Sequence, residues 1–215
     1  IYKNIGNAYC MFKDYDKGFE YYKKGYAIIP KGDKELTFKL LVNLFGVCLN
    51  RKDLKEARKY SQLIQTSPHP ETAENQFYIT FSKALLTSEE AHYAEANKIL
   101  IDLAKTSIAA KLPAIFICSV YSHIYTNYME MGDMSNALHY IRLCMQTAEK
   151  NHMMHYVPET LRDMAEIQKR SGNTSIAQQY DAQYLNLMDS IYNSQRFNVV
   201  KNQQFIYEVD KANKE

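Results

Sequence analysis

The 215-residue sequence predicts an all-α fold, an α-α superhelix (solenoid) of about five helical hairpins followed by a long C-terminal helix. Three observations predict it. Small residues recur at Gly18, Ala57, Ala96, Ala137 and Ala177, at separations of 39, 39, 41 and 40. Around them, apolar residues repeat at spacings of three and four, the period of one helix face. Only 7 Gly and 5 Pro interrupt the chain, and no alternating runs of β-branched residues are flanked by hairpin turn pairs. A two-helix hairpin cannot bury its apolar face alone, so such units must stack.

In the first unit Tyr2, Ile5, Tyr9 and Phe12 form one helical stripe. After Asp14, a second stripe of Tyr15, Phe19, Tyr22, Tyr26 and Ile29 runs until Pro30 stops it. Four residues before each small residue stand Asp14, Asp53, His92, Asp133 and Asn173. Four of these five are residues whose side chains cap a helix N-terminus. Asp53 with Glu56 reads as a reciprocal capping box. The residue after each cap is bulky in four units (Tyr15, Leu54, Tyr93, Met134), with Thr174 the weak case. In the fourth unit Pro113 precedes a stripe of Ile117, Val120, Tyr121, Ile124, Tyr128 and Met131. Beyond Gly172 no Gly or Pro occurs in the last 43 residues (215 − 172), which predicts one or two long helices. The expected division is a helical-hairpin array over 1–188 and a capping or linker helix over 189–215.

Composition narrows the function classes. At 46% hydrophobic and 23% charged the chain should fold rather than stay disordered. Its 26 basic and 24 acidic residues leave +2, no footprint for nucleic acid and no polybasic membrane patch. No apolar run is long enough to span a bilayer, and no signal peptide opens the sequence. The sequence starts at Ile1 inside a periodic pattern and stops in a polar helical run, so it is expected to be a fragment of a longer protein. Cys10, Cys48, Cys118 and Cys144 are too dispersed for a zinc site or a disulfide framework and read as buried thiols. No nucleophile elbow, metalloprotease helix or phosphate-binding glycine loop is present, so neither enzyme activity nor a cofactor is expected.

Several residues carry a sharper resemblance. Tyr2-Lys3-Asn4-Ile5-Gly6-Asn7-Ala8-Tyr9, then Asp14-Tyr15-Asp16-Lys17-Gly18, Tyr22, Gly25 and Pro30, closely resemble a tetratricopeptide repeat. The fourth unit matches less fully, through Tyr121, Tyr125, Tyr128, Gly132, Asp133, Ala137 and Cys144. Ala84 and Ala165 take the small position of Gly6, from which Phe45 and Tyr125 depart. The family's period is shorter than the present one of about 40, which implies helices longer by roughly a turn. The resemblance implies that the first helix of each hairpin lines a concave face holding a protein or peptide, or a small ligand. Its contact residues would be Lys3 and Asn7, Val42 and Asn43, Tyr78 and Phe81, Ser122 and Thr126, then Arg162 and Glu166. Lys3, Asn7 and Asn43 match three positions of the clamp by which co-chaperone repeats hold a C-terminal carboxylate. The two remaining basic positions fall on Tyr78 and Ser82, so that clamp is incomplete. Tyr78 and Phe81 are the expected aromatic anchor.

The segment from Tyr184, with Asp189-Ser190-Ile191-Tyr192-Asn193, Phe197, Val200, Lys201, Asn202, Phe205, Tyr207 and Glu208, is similar to a juncture in Bacteroidetes-type membrane-anchored transcriptional regulators. That resemblance implies an extracytoplasmic sensor array joined to a membrane span and an output domain, with homodimer formation through the C-terminal helix. The alternative is a cytoplasmic interaction scaffold without signalling. His152-Met153-Met154-His155 lacks a third ligand at metal-site spacing and reads as an interhelical loop, so no metal is expected. His69 between two prolines reads as extended linker, and His123 as a packed or solvent-facing side chain rather than a base.

Overall fold

The computed structural model describes residues 1–154 and 156–212, with side chains described through residue 194 apart from 155. Among the described residues every regular element is an α-helix. In chain order these are α1 (Tyr2–Met11), α2 (Tyr15–Ala27), α3 (Lys34–Asn50), α4 (Leu54–Thr66), α5 (Ala73–Glu89), α6 (Tyr93–Ala109), α7 (Ala114–Glu130), α8 (Met134–Lys150), α9 (Val157–Arg170) and α10 (Thr174–Ala212). They fall as five helix–turn–helix pairs. The chain divides into two compact units, Ile1–Asp133 and Met134–Glu215.

One turn design joins the two helices of every pair. The residue just before the cap position is left-handed: Lys13, Lys52, Ala91, Gly132 and Gly172, with φ of 60°, 58°, 62°, 76° and 79°. The next N–H then turns back to a carbonyl five residues earlier, Asp14 to Tyr9 at 3.0 Å, Asp53 to Cys48 at 3.0 Å and Asn173 to Gln168 at 2.9 Å. This satisfies carbonyls that the ending helix leaves open. The same residue opens the following helix: Oδ1 of Asp14 accepts from the Lys17 N–H and Oδ1 of Asp53 from the Glu56 N–H, both at 3.2 Å. One residue thus ends one helix with its backbone and starts the next with its side chain. His92 makes no side-chain cap bond, and the Asn173 amide donates to Gln168 Oε1 at 2.8 Å. The reciprocal half of the Asp53–Glu56 box does not form. The Asp53 N–H is committed to Cys48, and the Glu56 carboxylate pairs with Lys59 at 3.1 Å.

The small residues Gly6 and Gly18 sit where α1 and α2 approach closely. Gly18, Ala57, Ala96, Ala137 and Ala177 are all buried. In the first pair a Cβ at Gly6 would stand 2.6 Å from the Tyr22 ring, and one at Gly18 would stand 2.4 Å from Cys10 Sγ. The α2 stripe packs as expected, with Tyr22 in the core and Tyr15, Phe19, Tyr26 and Ile29 against it. The α1 stripe does not. Gly6 is the buried residue of α1, while Tyr2 and Phe12 are 37% and 85% exposed. Tyr9 stacks on Tyr21 at 5.3 Å instead of entering a core. The reason is position: α1 packs chiefly on α2, whereas α3 packs among α2, α4 and α5 and buries seven residues. On α7, Val120 and Ile124 of the expected stripe are fully buried, Phe116 one turn before Val120 is nearly so, and Cys118 and Tyr125 are buried on another face. A buried polar tie joins α5, α6 and α7: the Asn127 amide donates to Ser88 Oγ and to Asn97 Oδ1, each at 2.9 Å.

In the Met134–Glu215 unit α9 packs on both α8 and α10. Pro158 lies in the first turn of α9, where a missing N–H costs nothing. Helix α10 is unbroken across positions 188 and 189.

Candidate functional site

The first helices α1, α3 and α5 of the Ile1–Asp133 unit lie side by side, and a cleft of about 150 Å³ opens across them. Lys3 comes from α1, Phe38, Val42 and Asn43 from α3, and Glu74 and Tyr78 from α5. Spacing explains the set. Lys39 and Asn43, like Glu74 and Tyr78, are four apart and so share a helix face.

The floor of the cleft is apolar and its rim polar. Phe38 is almost fully buried, its ring 5.0 Å from that of His69 between centroids, and Val42 and Tyr78 pack against the core to which it belongs. Tyr78 is half-buried, with its ring edge-on to Phe77 and Phe116, each at 5.6 Å between centroids. Burial, then the nearby Glu74 carboxylate, raises its phenol above the usual value, so it is a neutral donor at physiological pH. Asn43 is held by its neighbours: its Nδ2 donates to Asn7 Oδ1 at 3.4 Å, and the Tyr22 hydroxyl donates to the same oxygen at 2.8 Å. Asn7 therefore serves to orient Asn43. Lys39 is paired with Glu35 one turn earlier, which holds its ammonium above the usual range. Lys3 also borders a larger apolar recess of about 420 Å³, lined by Tyr2, Gly25, Ile28, Leu36 and Leu40.

Five of the residues singled out from the sequence thus converge: Lys3, Val42, Asn43 and Tyr78 line the cleft, and Asn7 holds Asn43. Phe81, one turn beyond Tyr78, is half-buried and packs on Phe77 at 5.0 Å and on the His123 ring at 5.4 Å. Burial pushes His123 down to about 4, so it is neutral and packed at physiological pH. Thr126 is exposed on α7 and donates to the Ser122 carbonyl at 2.9 Å. Arg162 and Glu166 belong to the other unit and make local pairs on α9, Arg162 with Asp163 at 3.1 Å and Glu166 with Arg170 at 2.8 Å. Ser82, at a clamp position of the resemblance, is buried and donates to the Ile79 carbonyl. Sequence reasoning passed over Phe38, Lys39 and Glu74. Their signal was available as the residues one turn before Val42, Asn43 and Tyr78.

Elsewhere the reactive groups are quiet. No disulfide joins the four cysteines, three of which are buried, and burial raises Cys48 to about 12. Among the described residues no group of three His, Cys, Asp or Glu is placed to share a metal ion. In the His152–His155 loop, His152 is left-handed at φ 55° and His155 lies outside the described residues. No described helix is long and apolar enough to cross a membrane.

The paired helices, the repeated turn and the cleft across the first helices define a tetratricopeptide-like repeat array. No protein-family profile and no curated protein matches the chain. Solved structures do. The chain is similar to a Rap protein complexed with Competence and Sporulation Factor, at TM-score 0.74 and 14% identity, covering 86% of this chain and 52% of that one. The apo form of RapI matches at TM-score 0.65 and 15% identity, over 89% of this chain and 70% of RapI. A signal transduction ATPase with numerous domains, bearing a tetratricopeptide repeat sensor, from Pyrococcus horikoshii, matches at TM-score 0.69 and 14% identity, over 91% and 30%. The chain therefore spans about half of the first of these and under a third of the last. At such identities the likeness is one of fold.

Proposed function

We propose that this chain is a recognition module without enzymatic activity, which holds a peptide or an extended protein segment in the cleft across α1, α3 and α5. The observation that carries this reading is the convergence of Lys3, Asn43 and Tyr78 over an apolar floor. An aromatic ring, an oriented amide and a flexible cation are what an extended backbone with an apolar or acidic side chain requires. The Rap protein complexed with Competence and Sporulation Factor supports the same use of a similar fold.

In this reading the array is the sensor part of a signal-transduction protein, a membrane-anchored bacterial transcriptional regulator on its extracytoplasmic side. The similarity of the Tyr184-to-Glu215 segment to such regulators supports it. The tetratricopeptide sensor of the Pyrococcus horikoshii protein offers a precedent for sensing with this fold. Occupancy would be passed on through α10, by a change in array curvature or by pairing two copies; either requires a ligand that binds one arrangement better than the other.

The test is to select binders from a random peptide library on the 215-residue chain and measure their affinity for variants. Tyr78→Ala is expected to weaken binding roughly tenfold or more, the range of an aromatic hot spot. Tyr78→Phe keeps the packing and should lose less. Asn43→Ala should weaken binding without moving the unfolding midpoint. Selected peptides that bind all three variants equally would place the ligand elsewhere. If no peptide is selected against the folded chain, the recognition reading itself fails.

A further inference from the structure

Hydroxyl groups inside a helix commonly spend their hydrogen on the preceding turn, because the carbonyl four residues back lies within reach. This chain keeps that habit. Thr66, Thr87, Thr106, Thr126 and Thr147 each donate to that carbonyl, at 2.7 to 3.1 Å. Thr80 on α5 and Ser107 on α6 do not. Thr80 Oγ1 makes no hydrogen bond, and Ser107 Oγ is, among the described residues, the one buried side-chain nitrogen or oxygen without a partner. Ser107 is 2% exposed, and its usual acceptor is engaged, since the Leu103 carbonyl already takes the Thr106 hydroxyl at 3.0 Å. A buried hydroxyl left unpaired is costly, so Ser107 calls for a partner from outside the chain.

Both residues line one cavity of about 310 Å³, between the first half of α5 and the last turns of α6. Phe77 and Leu103, both buried, and Leu112 give it an apolar wall, and Gln76 adds a side-chain amide that is also unspent. None of the lining residues carries a charge. The cavity is separate from the cleft across the first helices: Gln76 and Thr80 each stand two residues from Glu74 or Tyr78, about 200° away around α5. We propose that this cavity binds a small uncharged molecule with an apolar body and a carbonyl oxygen. Such an oxygen has two lone pairs and no hydrogen, so it can accept from Thr80 and from Ser107 together, with Ser107 turning about its Cα–Cβ bond to meet it. The uncharged wall decides against an ion, which would lose hydration there without gaining a counter-charge. A wholly apolar molecule would leave both hydroxyls unpaired. At about 310 Å³ the cavity stands at the lower end of the span of small-molecule sites, room for one ring and a short substituent.

Backbone amide shifts of the isotope-labelled 215-residue chain, titrated with acetophenone, cumene and benzoate, test the proposal. Acetophenone carries a ring and a carbonyl, cumene a similar shape without oxygen, and benzoate a charge. Acetophenone should saturate in the millimolar range and move the amides of residues 76–80 and 103–112, while benzoate should not saturate. Thr80→Val and Ser107→Ala should each weaken acetophenone about fivefold, the size of one neutral hydrogen bond, and leave cumene unchanged or tighter. Each removes a hydroxyl without a partner, so neither should lower the urea midpoint. Asn43→Ala, in the cleft, should leave acetophenone binding as it is, which keeps this site apart from the peptide reading. Failure to saturate by about 10 mM acetophenone, undiminished binding by both hydroxyl variants, or loss of binding in Asn43→Ala would each overturn the proposal. So would a lower midpoint for Ser107→Ala, since that hydroxyl would then have a partner inside the fold.

Discussion

The first and second hairpins share a repeat pattern yet live in different surroundings. Both carry a left-handed lysine, a capping aspartate and a small residue four positions on. Yet α1 buries Gly6, while α3 buries seven residues, with Leu41 and Leu44 wholly inside. The repeat motif therefore encodes the crossing of two helices, and the neighbours supply the core. In a stacked array most of the hydrophobic stabilisation of a helix comes from flanking units.

The largest expected effect tests that contrast directly. Leu44→Ala should lower stability by about 2–5 kcal/mol, the span for emptying a fully buried leucine site. Tyr9→Ala, at the equivalent apolar stripe of α1, removes one stacked pair with Tyr21 and should cost about 1 kcal/mol. Urea midpoints of the two variants measure the difference. Equal losses would mean that the exposed stripe of α1 is as strongly held as the interior of α3.

A second comparison uses the helix crossing itself, which is Gly18 in one hairpin and Ala57 in the other. Gly18→Ala gains helix propensity but drives a methyl to 2.4 Å from Cys10 Sγ. The net expectation is a loss of about 1–2 kcal/mol from overpacking. Adding Cys10→Ala should recover most of it. Ala57→Gly should cost about 1 kcal/mol for the opposite reason, lost propensity and a small void. If Cys10→Ala fails to rescue Gly18→Ala, the close approach is not what selects glycine there.

Much of this was legible in the sequence because it is local. The period of the small residues located five buried positions, and the aspartates located turns. What failed to show was whatever depends on neighbours. The Tyr2–Phe12 stripe has helical spacing, but periodicity does not reveal whether anything lies against it. The capping box at Asp53 lost its return bond because the turn before it had already claimed the Asp53 N–H. Asp33 and Thr72, which cap α3 and α5 with bonds of 3.0 and 3.1 Å, stand outside the register on which the repeat search was anchored. At the cleft, the resemblance supplied Lys3, Asn43 and Tyr78. Phe38 and Glu74 needed the added step of walking one helical turn along each face.

The smallest effect is the one that should not differ between the hairpins. Lys13 and Lys52 both adopt φ near 60°, a region that costs an L-residue with a Cβ roughly 1 kcal/mol or more and costs glycine little. Gly132 and Gly172 fill the same turn without that penalty. Replacing either lysine by glycine should therefore stabilise the chain, by at most about 1 kcal/mol after the greater freedom of glycine in the unfolded state is subtracted. The Lys52–Glu89 pair at 3.3 Å is exposed and its loss should hardly register. Because each turn closes on its own carbonyls, Lys13→Gly and Lys52→Gly should shift the midpoint equally, in the poorly buried hairpin and in the well-buried one. Unequal shifts would show that the turn energy depends on neighbouring units after all, and the division between a local crossing motif and a neighbour-supplied core would have to be redrawn.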